Sequence, residues 1–140
     1  MSEARIDLKV LIVDDEPDLV ATCARLLKRR GFVPLVAGNG QTAIELIDAE
    51  RPDLILTDLR LPGIDGLAVV RHARRGARKI PVVLFTGYAS HASRREALRD
   101  GAAAYLPKPF TAAQLFAAIE QAAAAGARPA EDPARVKGVD

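Results

Sequence analysis

The sequence predicts an α/β fold in which a doubly wound sheet of five parallel strands is covered on both faces by five helices. Short apolar segments, rich in branched side chains, alternate along the chain with longer amphipathic segments, and this order is typical of βα units. The short segments are apolar at successive positions, as expected of strands that are buried on both faces.

Five short segments carry the apolar pattern of strands. Pro34 lies in the second of them, and because proline donates no backbone hydrogen bond, this strand should lie at an edge of the sheet. The predicted strands are Leu8 to Val13, Phe32 to Val36, Leu54 to Thr57, Pro81 to Thr86 and Ala103 to Leu106.

Five longer segments have the amphipathic spacing of helices. Pro17 suits the first turn of the first helix, where the backbone N–H that proline lacks would have no partner. Thr111 and Gln114 have the spacing of a capping box at the start of the last helix. The predicted helices are Pro17 to Arg30, Gln41 to Ala49, Leu67 to Arg75, Ser90 to Arg99 and Thr111 to Ala125.

Length and composition indicate one globular domain. The chain has 140 residues, of which 49% are hydrophobic and 27% are charged, enough to bury a core without disulfides or metals. We assign residues 1–125 to the folded domain. Residues 126–140 are rich in proline, glycine and charge, and we expect a flexible tail or the start of a linker there.

Charge and targeting patterns limit the partners and the location. The net charge of +2 does not require a polyanionic partner. The basic residues between Arg71 and Lys79 come with neither a recognition helix nor stacking aromatics, so no direct nucleic-acid contact is expected. A single cysteine, the absence of a signal-peptide pattern and the absence of a membrane-spanning stretch predict a cytoplasmic protein that does not contact a membrane.

Polar residues collect where the predicted strands end, which is where open parallel sheets bind ligands. Asp14 and Asp15 follow the first strand, Asp58 follows the third, Thr86 ends the fourth, and Lys108 follows the fifth. The carboxylates would repel one another at contact distance. A hard divalent cation such as Mg²⁺ would offset that charge, because it prefers a few carboxylates and water as ligands.

The same groups are those that phosphoryl transfer requires. A metal and an ammonium offset charge on the phosphoryl oxygens, while a hydroxyl and a backbone amide, here that of Gly87, position them. Asp58 is the candidate acceptor because it stands alone at its strand end, whereas Asp14 and Asp15 come as a pair.

Three segments resemble the receiver domains of bacterial two-component response regulators, including those of the chemotaxis regulators. They are Val10 to Glu16, Asp58 to Gly66 and Leu106 to Phe110, and the resemblance extends over roughly Leu8 to Ala125. It implies the flavodoxin-like strand order 2-1-3-4-5.

The resemblance also implies a role for each site residue. Asp58 would be the phosphoacceptor, Thr86 and Tyr105 would be the switch residues, and a cis peptide bond would precede Pro109. The ligands of Mg²⁺ would be Asp14, Asp15, Asp58 and the backbone carbonyl of Arg60. The groups that bind the phosphoryl group would be Thr86, Gly87 and Lys108.

A receiver domain is implied to be a signalling switch in a phosphorelay and not an enzyme, since it promotes only its own phosphorylation and dephosphorylation. The phosphoryl group would come from a sensor histidine kinase or a histidine phosphotransfer protein. A downstream protein would recognise the surface formed by residues 90–125, and phosphorylation-dependent homodimerisation is a further option.

Three alternatives remain open from the sequence. A Mg²⁺-dependent phosphohydrolase with an aspartyl nucleophile usually needs a second acid two residues later, where this chain has Arg60. A flavodoxin-type flavin binder would need a phosphate-binding loop where Asp14, Asp15 and Glu16 stand. The chain would also suit the N-terminal receiver of a longer regulator with a DNA-binding or enzymatic output domain.

Two bulky residues should affect how long a phosphoryl group persists. Arg60 lies two residues after Asp58, and Tyr88 lies two residues after Thr86. Both should flank the path of an attacking water, which predicts slow hydrolysis of the aspartyl phosphate.

Overall fold

The computed structural model describes residues 8–76 and 78–127, and it confirms the predicted fold class. Five parallel strands form one sheet in the order β2-β1-β3-β4-β5, with a helix after each strand along the chain. The strands are β1 (Lys9–Val13), β2 (Val33–Ala37), β3 (Leu54–Asp58), β4 (Val82–Thr86) and β5 (Ala104–Pro107). The helices are α1 (Pro17–Arg29), α2 (Gly40–Glu50), α3 (Gly66–Arg75), α4 (His91–Arg99) and α5 (Ala112–Ala127).

At most of the strand ends, the observed bound differs from the predicted one by one residue. The reason is that backbone pairing, and not hydrophobicity, sets where a strand stops. Asp58 belongs to β3 since it pairs in register with Phe85, and Pro107 belongs to β5 since it pairs with Thr86. The edge position predicted for the strand that contains Pro34 is confirmed.

The helix starts follow local hydrogen bonds. The predicted capping box of α5 is confirmed: the Gln114 N–H donates to Thr111 Oγ1 over 3.0 Å, and the Thr111 N–H donates to Gln114 Oε1 over 2.9 Å. In α3 the Asp65 carboxylate caps the helix by accepting from the Ala68 N–H. The helix α5 ends at Ala127, two residues beyond the predicted domain boundary, and the rest of the predicted tail lies outside the described residues.

Successive side chains of the sheet pack on opposite faces, which places the core in two layers. Val10 and Ile12 of β1 face the layer that α1 and α5 cover. Leu11 and Val13 face the layer that α2, α3 and α4 cover. The strand ends are therefore held between two packed layers, and the residues that follow them have restricted positions.

A close backbone approach holds the start of α3 against the end of β3. A Cβ atom at Gly66 would collide with the carbonyl oxygen of Asp58, and the Gly66 N–H donates to the Leu59 carbonyl oxygen over 2.9 Å. Only glycine fits there without displacing the backbone of Asp58.

No helix within residues 8–76 and 78–127 combines the length and the hydropathy that a membrane-spanning segment needs.

Candidate functional site

Carboxylates from two neighbouring strands meet at the carboxyl edge of the sheet, the edge where the strands end. Asp14 directly follows β1 and Asp58 ends β3, with 1% and 7% of their surfaces exposed. The side chain of Asp15 is exposed. Carboxylate oxygens of these three residues lie within 4.8 Å of one another, so the structure brings together the acidic residues that the sequence places at strand ends.

Lys108 joins the two buried carboxylates. Its Nζ donates to Asp14 Oδ2 over 2.8 Å and to Asp58 Oδ2 over 3.1 Å. A longer contact of 3.4 Å reaches Glu16 Oε1. One ammonium group therefore serves two buried carboxylates and an exposed one.

Backbone N–H groups hold the other carboxylate oxygens. The Glu16 N–H donates to Asp14 Oδ1 over 2.9 Å, and the Arg60 N–H donates to Asp58 Oδ1 over 3.2 Å. Both donors lie two residues beyond their acceptor, in the loop that leaves the strand. The loops therefore fix the orientation of both carboxylates.

The charge at this edge is unbalanced, because the carboxylates of Asp14, Asp15, Glu16 and Asp58 meet a single ammonium within the described part of the chain, that of Lys108. Burial raises the pKa of Asp58, and the Asp14 carboxylate raises it further, while hydrogen bonds from Lys108 and Arg60 lower it in part. Burial lowers the pKa of Lys108, but its hydrogen bonds and ion pairs with Asp14 and Asp58 outweigh that effect and leave the pKa raised. An oxygen donor set with excess negative charge suits Mg²⁺.

The hydroxyl of Thr86 lies buried at the end of β4. Its Oγ1 accepts from the Tyr88 N–H over 3.0 Å. The carbonyl oxygen of Thr86 accepts from the Lys108 N–H over 2.8 Å. Gly87 follows in the exposed loop, and the Lys108–Pro109 peptide bond is cis.

Tyr105 is half-buried on β5 and is tied to the start of α4. Its hydroxyl lies 2.6 Å from Ser93 Oγ and accepts weakly from the Ser90 N–H over 3.4 Å. Neither serine is predicted from the sequence to be a partner of Tyr105. The S-x-x-S spacing signals a helix cap, but nothing in the sequence signals a contact with a residue 12 positions away.

The bulky pair near the site forms a stack. The guanidinium carbon of Arg60 lies 4.4 Å from the centre of the Tyr88 ring, a cation–π distance. The tyrosine itself is 65% exposed. Arg60 lies in the loop after Asp58, and Tyr88 lies in the loop after Thr86. Their stack therefore joins the two loops on the solvent side of the site.

Comparison with known proteins places this arrangement in a family. Residues 10–120 match the family model described as the response regulator receiver domain. Regulatory protein AtoC of Escherichia coli is 36% identical over 114 residues, which are 81% of this chain and 25% of AtoC. Transcriptional activator protein PfeR of Pseudomonas aeruginosa is 38% identical over 109 residues, which are 78% of this chain and 35% of PfeR.

A solved structure agrees with these relatives. The BeF3-activated N-terminal receiver domain of Klebsiella pneumoniae RstA has a TM-score of 0.76 and 33% identity, covering 82% of this chain and 97% of that one. The chain spans about a quarter to a third of the length of AtoC and PfeR. Given the parallel sheet, the acidic edge and the family match over residues 10–120, the chain belongs to the receiver domains of two-component response regulators.

Proposed function

We propose that the chain is a phosphoacceptor switch in which Asp58 receives the phosphoryl group. The observation that carries this assignment is the accessibility of the two buried residues whose carboxylates contact Lys108, Asp14 and Asp58. The side chain of Asp58 is 10% exposed, whereas that of Asp14 is 0% exposed. Of these two carboxylates, only Asp58 can be reached by a phosphodonor from outside.

The transfer forms one bond and breaks another. A carboxylate oxygen of Asp58 forms a bond to the phosphorus atom, while the bond from phosphorus to the donor breaks and its electron pair stays with the donor. The donor in the cell would be a phosphohistidine of a sensor kinase or of a phosphotransfer protein. Receiver domains are not themselves a catalytic enzyme family, and we propose that this chain promotes only its own phosphorylation and dephosphorylation.

Asp14, Asp15, Asp58 and the backbone carbonyl of Arg60 would hold Mg²⁺. When bound, the ion would supply positive charge that offsets the carboxylates and the phosphoryl oxygens. Lys108 is already aimed at Asp58 Oδ2, and its ammonium would pair with the new phosphoryl oxygens. The exposed backbone amide of Gly87 would donate a further hydrogen bond to them.

Thr86 and Tyr105 would couple phosphorylation of Asp58 to a change in the conformation of the surface near the start of α4. The Thr86 hydroxyl accepts from the Tyr88 N–H, so its own proton is available to a phosphoryl oxygen. Moving Thr86 toward the phosphoryl group would alter the loop that leads to Ser90, where Tyr105 is held. Phosphorylation thus favours one of two arrangements by its differential contacts.

The partner surface would be formed by residues 90–125, which include α4, β5 and most of α5. We propose that a downstream protein, or a second copy of this chain, recognises this surface after phosphorylation. We further propose that residues 1–125 form the receiver unit and that residues 126–140 begin a tail or linker. The family match does not favour the phosphohydrolase reading.

The test is the intact mass of the protein after incubation with acetyl phosphate, with and without Mg²⁺. Wild type should gain one phosphoryl group only when Mg²⁺ is present, and Asp58→Asn should gain none. Asp65→Asn is the matched control, because an exposed asparagine still caps α3, and it should be labelled like wild type. Labelling of Asp58→Asn at the wild-type level would overturn the assignment.

A further inference from the structure

We propose that a cavity at the amino edge of the sheet, the edge where the strands begin, binds a small organic phosphate of nucleotide size. The cavity has a volume of about 430 Å³, within the range of small-molecule sites. It lies between the last turns of α2 and α3 and the segment that enters β4. It is therefore at the opposite edge of the sheet from Asp58.

The cavity has an apolar floor and a cationic rim. Ile47, Ala73 and Ile80 line it and are buried, so they present hydrocarbon to an occupant. Arg51 and Arg75 line it and are exposed. An occupant that satisfies both parts has an apolar or aromatic body and an anionic end.

The positive charge at the rim of the cavity favours a phosphate group as the anionic end of the occupant. Three guanidinium groups, those of Arg51, Arg75 and Arg78, line the cavity together with one carboxylate, that of Asp48. Arg78 is paired with Asp53, but no ion pair is formed by Arg51 or Arg75 within the part of the chain that the structure describes. Guanidinium groups bind phosphate oxygens in pairs and stack on aromatic rings, and a phosphate monoester carries about −1.5 to −2 charges.

The walls of the cavity are cross-linked. His72 Nε2 lies 2.8 Å from Asp48 Oδ1 and joins α3 to α2. Arg78 Nη2 donates to Asp53 Oδ1 over 2.6 Å, and its Nη1 donates to the Arg51 carbonyl oxygen over 3.2 Å. Preformed walls reduce the ordering cost of binding.

The backbone conformation of Arg51 fixes where its side chain leaves the end of α2. This residue ends α2 with φ of 51°, in the left-handed region, where helices usually place glycine or asparagine. Non-glycine residues in that conformation cluster at ligand sites. The Arg51 N–H donates to the Ile47 carbonyl oxygen, so this conformation also caps α2.

The competing explanation is that the arginines only offset the negative ends of the α2 and α3 dipoles. That explanation accounts for the sign of the charge. It does not account for an apolar floor beneath the arginines. It also predicts no preference among anions, and this difference can be measured.

The experiment uses adenosine monophosphate, inorganic phosphate and adenosine as probes, titrated into the full chain and followed by calorimetry and by amide chemical shifts. Adenosine monophosphate should bind saturably, at least tenfold more tightly than either fragment, and should shift the amides of Arg51, Ala73 and Ile80. No saturable binding, or shifts confined to the carboxyl edge, would overturn the proposal.

Two double variants with the same change of net charge distinguish binding at the cavity from nonspecific electrostatic attraction of the anion to the protein. Arg51→Gln/Arg75→Gln should weaken the binding of adenosine monophosphate at least tenfold. Arg25→Gln/Arg29→Gln, at exposed positions of α1, should leave it within twofold of wild type. If both variants weaken the binding of adenosine monophosphate equally, the attraction is nonspecific and the proposal is wrong. Thermal unfolding of both variants shows whether they remain folded, and a single Arg75→Gln variant replaces the double one if that unfolds.

Discussion

At the carboxyl edge of the sheet, Asp14 and Asp58 are buried and share one ammonium group. At the amino edge, Arg51 and Arg75 are exposed and form no ion pair among the described residues. The sign of the charge follows from the topology: helices in βα units begin at the carboxyl edge, where their dipoles favour anions, and end at the amino edge, where they favour cations. The degree of burial does not follow from the topology: the two aspartates at the carboxyl edge are buried, whereas the two arginines at the amino edge are exposed.

The largest expected effect comes from removing the shared ammonium. Lys108→Met leaves two buried carboxylates without a partner, which should lower the free energy of unfolding by about 2 kcal/mol without Mg²⁺, since the lysine side chain keeps some solvent. Added Mg²⁺ should restore part of the loss. Urea unfolding at neutral pH measures both effects.

The matched control for that variant lies at the amino edge. Lys79 is exposed, and among the described residues its Nζ makes only a 3.4 Å contact with the Arg74 carbonyl oxygen. Lys79→Met should change the free energy of unfolding by less than about 0.5 kcal/mol. If both variants lose similar stability, then burial of the partner carboxylates does not make Lys108 more important for stability than Lys79.

The second effect concerns the lifetime of the phosphoryl group on Asp58. Replacing the stacked pair with Arg60→Asn/Tyr88→Ala should open the solvent side of the site and speed hydrolysis roughly tenfold, equivalent to about 1.4 kcal/mol in the barrier. Decay of the phosphorylated protein, followed by intact mass, gives the rate. A double variant that decays no faster than wild type would contradict the role assigned to the stack.

The smallest expected effect is a gain in stability. Arg51→Gly should raise the free energy of unfolding by about 0.5–1 kcal/mol, because glycine adopts the left-handed conformation without steric cost. The same change should weaken the binding of adenosine monophosphate. A loss of stability in thermal unfolding would instead mean that the arginine side chain supports the fold.

The residues at the carboxyl edge could be predicted from the sequence because they lie where the parallel strands end. The carboxyl ends of parallel strands share one edge, so the residues at the ends of β1, β3 and β5 are expected on the same side of the sheet, and the side chains of Asp14, Asp58 and Lys108 meet there. The contacts between carboxylates and backbone donors two residues later are also local. The resemblance to a known family added the strand order and the individual roles.

The amino edge and the start of α4 could not be predicted in the same way. The cavity depends on how far apart α2 and α3 lie and on the left-handed conformation of Arg51, which no residue pattern at that position signals. The bond from Tyr105 to Ser93 depends on how α4 packs on β5. Both are properties of packing between elements that are distant in the sequence.

The chain has no tryptophan and only two tyrosines, and the fold puts one at each end of the proposed switch. Tyr88 stacks on Arg60 at the mouth of the acidic site, while Tyr105 is bonded to Ser93 at the start of α4. Intrinsic fluorescence of the unlabelled protein therefore comes from two rings in different surroundings. A Tyr105→Phe variant leaves Tyr88 as the only tyrosine, so its fluorescence reports on the mouth of the acidic site alone.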